Sequence, residues 1–237
     1  MQSFKELWNS VAETRSNQIS TGKDITFTRF FVPLYNSILE EFKPSNLCEV
    51  GCGTGHLLYS LSPLCTSLVG FDEAKGMIEI AKSVTKKAKN ISIHECSLSK
   101  ATQFGNFDFV ISHLCAQAIE NLQLFFNNIK NLMKPKGKCL ITIPHPCFWN
   151  TYQGYIPDDA YHYMQETHAI AQLSIRGEYT GDIPYFHRPL SIYFSKFLDA
   201  GLQLESFKEL YPSKITESLY EQEWLYPRFL MFRLTHR

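Results

Sequence analysis

The chain has 237 residues, 44% of them hydrophobic, with 23 basic and 23 acidic side chains, enough to build one fully cored domain. A formal net charge of zero argues against a duplex-binding protein, and the one dense basic run, residues 82–89, falls on an amphipathic helical pattern and reads as a solvated face. Seven cysteines without a C-x-x-C pair give no zinc or disulfide framework, and neither a signal-peptide core nor a membrane-length apolar run is present, so a metal-free protein in a reducing, cytoplasmic setting is expected.

In chain order, Phe4, Leu7, Trp8 and Val11 recur at helical spacing over residues 2–15. A second helix is expected over 27–42, ending before Pro44 and carrying Pro33 near its start; together these make an N-terminal helical cap over residues 1–44. Strands and helices then alternate: strand 47–50, helix 55–61, strand 67–71, helix 76–88 and strand 91–95, followed by strand 107–111, helix 121–132 and strand 138–143. Cys48 and Cys139 sit inside apolar strand patterns, where a thiol is a small hydrophobe. Such alternation predicts a mostly parallel sheet with helices on both faces. After Pro144 the rhythm breaks. Residues 145–188 are rich in aromatics, His, Gly and Pro without a clean period, as expected of a lid or a functional insertion. Helix 189–200 and strands near 202–210 and 228–235 close a domain spanning 1–237.

Residues 46–56 read Asn-Leu-Cys-Glu-Val-Gly-Cys-Gly-Thr-Gly-His. A short apolar strand ends in an acid and runs into Gly51, Gly53 and Gly55, which allow positive φ and close approach of a ligand to the backbone. Strand, glycine turn and helix N-terminus together make a pocket for a nucleotide-like or anionic group. The spacing is E-x-G-x-G-x-G, whereas dinucleotide-binding turns use G-x-G-x-x-G. Asp72 ends the next strand 21 residues after Gly51, near the ~20 at which an acid reaches a ribose in such folds; its alternative role is to cap the helix starting near Lys75.

This segment resembles motif I of the class I S-adenosylmethionine-dependent methyltransferases. Leu68-Val69-Gly70-Phe71-Asp72, Phe107-Asp108-Phe109-Val110-Ile111, and Lys134-Pro135-Lys136-Gly137-Lys138 before Cys139-Leu140-Ile141-Thr142-Ile143 keep the family's order of later strands. The resemblance implies a doubly wound α/β fold with a mostly parallel seven-stranded sheet, an antiparallel C-terminal hairpin strand, N-terminal helices and a lid insertion at 145–188 after strand five. It implies S-adenosylmethionine as cofactor and S-adenosylhomocysteine as product. It places Glu49 near the cofactor's amino-acid end, the alternative being to brace the loop. The backbone of Gly51, Cys52, Gly53 and Gly55 lies against the cofactor, Asp72 binds the ribose, and Met77 lies near adenine and ribose or else in the core. After the third strand, where the family often has an acid, stand Cys96 and Ser97, so Ser97 and Leu98 are assigned to the adenine. Ser112 and His113 take the positions that line the transfer channel.

Methyl transfer to an activated carbon needs positioning first, and a general base only when the nucleophile must lose a proton. His113, His145 and His187 are the candidate bases, each alternatively a residue that fixes a loop by a backbone hydrogen bond. Arg188 either holds an acceptor carboxylate or braces the lid, and the tyrosines of the insertion form an apolar acceptor wall or a sealed lid core. The Ser-His-Leu-Cys stretch after strand four is not the Asp/Asn-Pro-Pro-Tyr motif of amino-group methyltransferases acting on nucleic-acid bases or protein glutamine. A small-molecule acceptor is therefore expected. A nicotinamide-dependent dehydrogenase and a non-catalytic S-adenosylmethionine-binding protein are the competing readings.

Overall fold

Ser3 starts the first helix through local chemistry. Its hydroxyl accepts from the Glu6 N–H while the Glu6 carboxylate accepts from the Ser3 N–H, a capping box that satisfies two otherwise orphaned donors of α1 (Phe4–Ser20). The computed structural model describes residues 3–237; the first two residues of the helical segment expected over 1–44 lie outside the described residues. The chain divides into two units, one of Met1–Ala101 with Gln172–Asp182 and one of Thr102–Ala171 with Ile183–Arg237.

In the first unit α1 runs five residues past the expected end and buries Leu7 and Val11. A π-helical turn at Thr26–Phe31 leads into α2 (Val32–Phe42). Pro33 explains the wide turn: it has no N–H for the carbonyl four residues back and its ring crowds that carbonyl, so the chain opens its winding before it. Three parallel strands follow, β1 (Asn46–Val50), β2 (Ser67–Asp72) and β3 (Ile91–Glu95), joined by α3 (His56–Leu61) and α4 (Lys75–Thr85) and trailed by α5 (Leu98–Ala101). Gly70 on β2 is a packing requirement: a Cβ there would lie 2.6 Å from Leu58 Cδ1 and 2.8 Å from Ile93 Cδ1.

The second unit carries β4 (Phe107–His113), α6 (Leu122–Leu132) and β5 (Met133–Pro144). Strand β5 begins five residues before the expected 138, because Met133 already pairs with Phe107 of β4; the register then shifts, and residues 134–137 bulge out before Lys138 resumes opposite Phe109. The 145–188 region is more ordered than its composition suggests. After α7 (Trp149–Gln153) it forms a separate two-stranded sheet, β6 (Thr167–Ile175) and β7 (Glu178–His187). Arg176 and Gly177 turn this hairpin with φ of 51° and 75°, the both-positive pattern of a type I′ turn. Helix α8 (Leu190–Asp199), strand β8 (Leu202–Leu210), the short α9 (Lys214–Glu217) and β9 (Phe229–His236) complete the chain. The seven strands outside the hairpin follow the order β3-β2-β1-β4-β5-β9-β8, with β9 antiparallel to both of its neighbours. This is the doubly wound, mostly parallel α/β sheet with an antiparallel C-terminal strand. Cys48 and Cys139 are fully buried, all seven cysteines are free thiols, and no helix among the described residues is long and apolar enough to cross a membrane.

Within the first unit α1 is tied to the turn after β1 and to the hairpin tip. His56 bonds Thr54 Oγ1 at 2.8 Å through Nδ1 and Ser20 Oγ at 3.0 Å through Nε2, while Gln18 donates to Thr180 Oγ1 at 2.9 Å. Burial, reinforced by the Arg15 charge, lowers the His56 pKa from 6.5 to about 4. The unfolded chain therefore binds a proton that folded His56 refuses, so its contribution to stability is complete above pH 6.5 and is lost as pH falls towards 4.

Two outcomes follow for stability. Urea midpoints should drop between neutral pH and the acid end of that window, and His56→Gln should drop by less over the same range; equal drops would remove His56 from the account. Gly70→Ala, at a position without special φ, should lose about 1–3 kcal/mol through overpacking, read as a lower midpoint at unchanged m; an unshifted midpoint would contradict the packing described.

Candidate active site

The turn after β1 takes its shape from three left-handed glycines, Gly51, Gly53 and Gly55, with φ of 69°, 51° and 74°. Gly55 is bound twice over, since a Cβ would also meet Ala81 Cβ at 3.0 Å, whereas the nearest atom to a Cβ on Gly53 is Met77 Sδ at 3.9 Å. Gly53 is therefore selected by its φ and not by crowding. Cys52 is buried behind the turn, its Sγ 2.9 Å from where a Gly70 Cβ would stand.

One carboxylate holds this turn. Asp72 Oδ2 accepts from the Gly53 N–H at 3.0 Å and Oδ1 from the Ala74 N–H at 2.9 Å, so it joins the loops after β1 and β2. The capping role weighed for Asp72 is thus real, though it reaches further than one helix. Its pKa is raised, mainly by burial, against the lowering effect of those two N–H groups. Glu49, 3% exposed at the end of β1, stands well above the ordinary carboxylate range, first through burial and then through the Asp72 charge. The Leu58 N–H in the first turn of α3 bonds it, and its Oε2 is buried without a partner. A carboxylate has about four lone-pair sites, so both acids retain acceptor capacity. Met77 is buried on α4. Ser97 and Leu98 stand half-buried after β3, and the Ser97 hydroxyl bonds Ser99 Oγ at 3.0 Å.

The second unit carries the three histidines. At the end of β4, Ser112 is fully buried with its hydroxyl unpartnered, and His113 Nδ1 bonds Thr142 Oγ1 at 2.9 Å. The next residue, Leu114, has φ of 47°, a conformation that costs a non-glycine residue on the order of 1–3 kcal/mol and persists only where surroundings enforce it; its N–H donates to the Thr142 carbonyl at 3.0 Å.

His145 is committed on both nitrogens. Nε2 bonds Glu209 Oε1 at 3.0 Å and Nδ1 accepts from the Cys147 N–H at 3.2 Å. Its pKa is lowered by burial, with Glu209 opposing. It staples the loop after β5. His187 differs. Its Nε2 donates to the Tyr163 carbonyl at 2.9 Å, while Nδ1 is buried without a partner. An unpaired buried group of this kind costs about 1–3 kcal/mol. Burial lowers the His187 pKa too.

Tyr163 is the residue that the sequence did not single out as a hub. Its hydroxyl accepts from the Leu190 N–H at 3.1 Å and from Cys147 Sγ at 3.5 Å, while its carbonyl takes His187. Tyr161 adds a bond to the Pro146 carbonyl at 3.3 Å. His145-Pro146-Cys147-Phe148 and His187-Arg188-Pro189-Leu190 are thereby tied through one short segment. Arg188, 3% exposed, bonds Glu166 Oε2 at 2.7 Å and the Glu120 carbonyl at 2.8 Å and lies over the Phe186 ring. The bracing role fits these contacts, with Glu166 matching its charge, while Nη1 is buried without a partner. Glu166, Glu209 and Glu120 gave no sequence signal because each acts at long range along the chain.

A family model described as a methyltransferase domain matches residues 42–181, more than half of the chain. An uncharacterized protein of Haemophilus influenzae is 26% identical over 150 residues, covering 60% of this chain and 56% of its own. The juvenile hormone acid O-methyltransferase of Drosophila melanogaster is 31% identical over 104 residues, covering 40% of this chain and 35% of its own. The matches thus span about half or less of these relatives' lengths. Among solved structures, an S-adenosylmethionine-dependent methyltransferase of Mesorhizobium loti superposes with a TM-score of 0.64 at 17% identity, covering 85% of this chain and 96% of that one, which speaks for the fold. The acid–glycine turn, the strand order and the match over 42–181 lead to one conclusion: the chain belongs to the methyltransferase domain family, within the class I S-adenosylmethionine-dependent methyltransferases that its motifs resemble.

Proposed function

We propose that the chain transfers a methyl group from S-adenosylmethionine to a small-molecule acceptor in the cytoplasm, by in-line displacement and without a metal. The reading takes residues 1–237 as one methyltransferase domain, residues 1–44 as a helical cap and residues 145–188 as the acceptor-binding lid. The observation that carries it is the pair of buried acids at the glycine turn: Glu49 Oε2 lacks a partner and Asp72 holds the Gly53 N–H.

These residues fit the donor. Asp72 has lone pairs left for a ribose diol, and hydrogen bonds to a carboxylate are the strong, charge-assisted kind. The backbone of Gly51, Cys52, Gly53 and Gly55 offers a surface without side-chain bulk on the glycines, and Met77 supplies an apolar wall near Gly53. Ser97 and Leu98 take the adenine end, while Glu49 receives the amino-acid end. Ser112 and His113 line the transfer channel. When bound, the donor supplies a methyl carbon already activated by its sulfonium. The chain's own part is to orient it and to keep two acids near a cation, which favours their ionised form.

On the acceptor side, balanced charge favours a small molecule over a nucleic-acid duplex, and the O-methyltransferase name of the Drosophila relative favours oxygen as the methylated atom. His113, His145 and His187 are the candidates for proton transfer. A nicotinamide-dependent dehydrogenase keeps no specific support, since the glycine spacing is E-x-G-x-G-x-G. A donor-binding protein without activity is separated by assay.

Calorimetry should show S-adenosylmethionine and S-adenosylhomocysteine binding to the full chain. Asp72→Ala should weaken both by roughly 10–100-fold, the scale of one or two charged hydrogen bonds. Because Glu49 and Asp72 are both held above their ordinary carboxylate values, the cationic donor should release more protons on binding than its neutral product, seen by comparing buffers of different ionisation enthalpy. A folded chain that binds neither compound sinks the proposal.

A further inference from the structure

Resting on the methyl-transfer reading, we propose that Gln18 and Thr180 are positioning residues for the donor: through this pair the tip of the β6–β7 hairpin holds α1 against the loops that receive S-adenosylmethionine. The tip is Gln172–Asp182, which folds as part of the first unit together with Met1–Ala101, so these contacts lie inside one unit.

Helix α1 touches the chain at the end of each of the three strands of that unit. Ser20 Oγ bonds His56 Nε2 at 3.0 Å, and His56 Nδ1 bonds Thr54 Oγ1 at 2.8 Å, in the turn after β1. Asn9 Oδ1 accepts from the Gly76 N–H at 2.8 Å, after β2. Lys5 pairs with Glu95, the last residue of β3, at 3.4 Å. At Gly76 the approach depends on the missing side chain, since a Cβ would stand 3.3 Å from Asn9 Oδ1 and 3.4 Å from its carbonyl oxygen. The exposed Lys5–Glu95 pair adds little; the other two ties carry the argument. Asp72 clamps the donor turn through the Gly53 and Ala74 N–H groups. Helix α1 holds Thr54, the neighbour of Gly53, and Gly76, just past Ala74. It is a second brace on the same two loops.

The hairpin tip fixes α1 in turn. Gln18 is 2% and Thr180 6% exposed, and they bond reciprocally: Gln18 Nε2 donates to Thr180 Oγ1 at 2.9 Å, and that hydroxyl donates to Gln18 Oε1 at 3.3 Å. The same Oε1 accepts from Arg15 Nη1 at 3.0 Å, and Arg15 Nη2 donates to Asp24 at 2.8 Å. A buried polar network is satisfied in one arrangement of its members and costly in others, so it fixes direction as well as adding stability. Beside it Gly181, with φ of 151°, admits the fully buried Val11: a Cβ would lie 2.3 Å from Val11 Cγ1. On the outside Lys23 and Glu178 pair at 2.7 Å. Residues 172–182, placed by composition within the lid, therefore serve the donor side.

A tip that only stabilised the fold would leave donor affinity alone. The test is calorimetry of S-adenosylhomocysteine with the full chain, on Thr180→Val, Thr180→Ser, Asn9→Ala and the double variant of Asn9→Ala with Thr180→Val. Thr180→Val leaves the buried Gln18 amide unpaired and should weaken binding by roughly 3–10-fold, while Thr180→Ser, which keeps the hydroxyl, should bind as the wild type does. Asn9 and Gln18 stand about 13 Å apart along α1, a separation at which independent effects add. Because both ties act through one helix, the double variant should instead bind no more than about twofold weaker than the weaker single variant. Without ligand, amide exchange should quicken at Gly53 and Gly76 in Thr180→Val, with β5 amides at their wild-type rates. Glu178→Lys, at an exposed position, sets two like charges at the same contact and carries the test if Thr180→Val does not fold. It should weaken binding by about 2–3-fold at low ionic strength and by less in high salt. Wild-type affinity in Thr180→Val and Glu178→Lys, no rescue by serine, or additive losses in the double variant overturns the assignment alone. A wild type that does not bind S-adenosylhomocysteine overturns the methyl-transfer reading, and the donor role of Gln18 and Thr180 with it.

Discussion

The structure of the donor side depends on one carboxylate. Asp72 ends β2 and spends an oxygen on each of two backbone N–H groups, Gly53 at 3.0 Å and Ala74 at 2.9 Å. The turn it holds contains three residues with positive φ, a conformation that glycine adopts readily but that no side chain stabilises by itself. Gly51 and Cys52 also donate to the Phe71 carbonyl at 2.8 and 3.0 Å, and the clamp adds the side-chain tie at Gly53. With it they form a fixed surface, and the same acid still has lone pairs for a ligand. The acid that fixes the turn therefore keeps acceptor capacity for the ribose proposed to bind there.

Electrostatics sharpen the point. Glu49 and Asp72 are buried close enough that the charge on one raises the pKa of the other, and burial raises both. Two such acids are an expensive arrangement in an apo protein and a favourable one beside a cation. A cationic donor beside these acids, as proposed, would offset part of that cost. The second unit shows the opposite economy. Arg188 is matched by Glu166, His145 by Glu209, and the 145–188 segment is knitted through Tyr163, so its uncommitted buried atoms stand out: His187 Nδ1, Arg188 Nη1, Tyr155 O–H and Trp149 Nε1.

Much of this was legible in the sequence. Strand–turn–helix order, the E-x-G-x-G-x-G spacing and Asp72 are local patterns, and local patterns survive folding. What escaped was of three kinds. The π turn before Pro33 and the early start of β5 at Met133 are adjustments of winding and register that no periodicity encodes. The β6–β7 hairpin turns on Arg176 and Gly177, where a non-glycine takes φ of 51°, so the usual Asn-Gly signal was missing. The three histidines looked alike because their difference lies in partners: a backbone carbonyl of Tyr163, a distant Glu209, and Thr142. A backbone acceptor leaves no trace in side-chain identity.

The measurement that bears most directly on the central claim is a crystal structure of the full chain grown with S-adenosylhomocysteine. The account predicts the ribose diol hydrogen-bonded to Asp72, the glycine turn against the ligand, and the amino-acid end beside Glu49, with the Asp72–Gly53 bond retained. A ligand bound away from the 51–55 turn, or one that leaves Asp72 and Glu49 untouched, would contradict it.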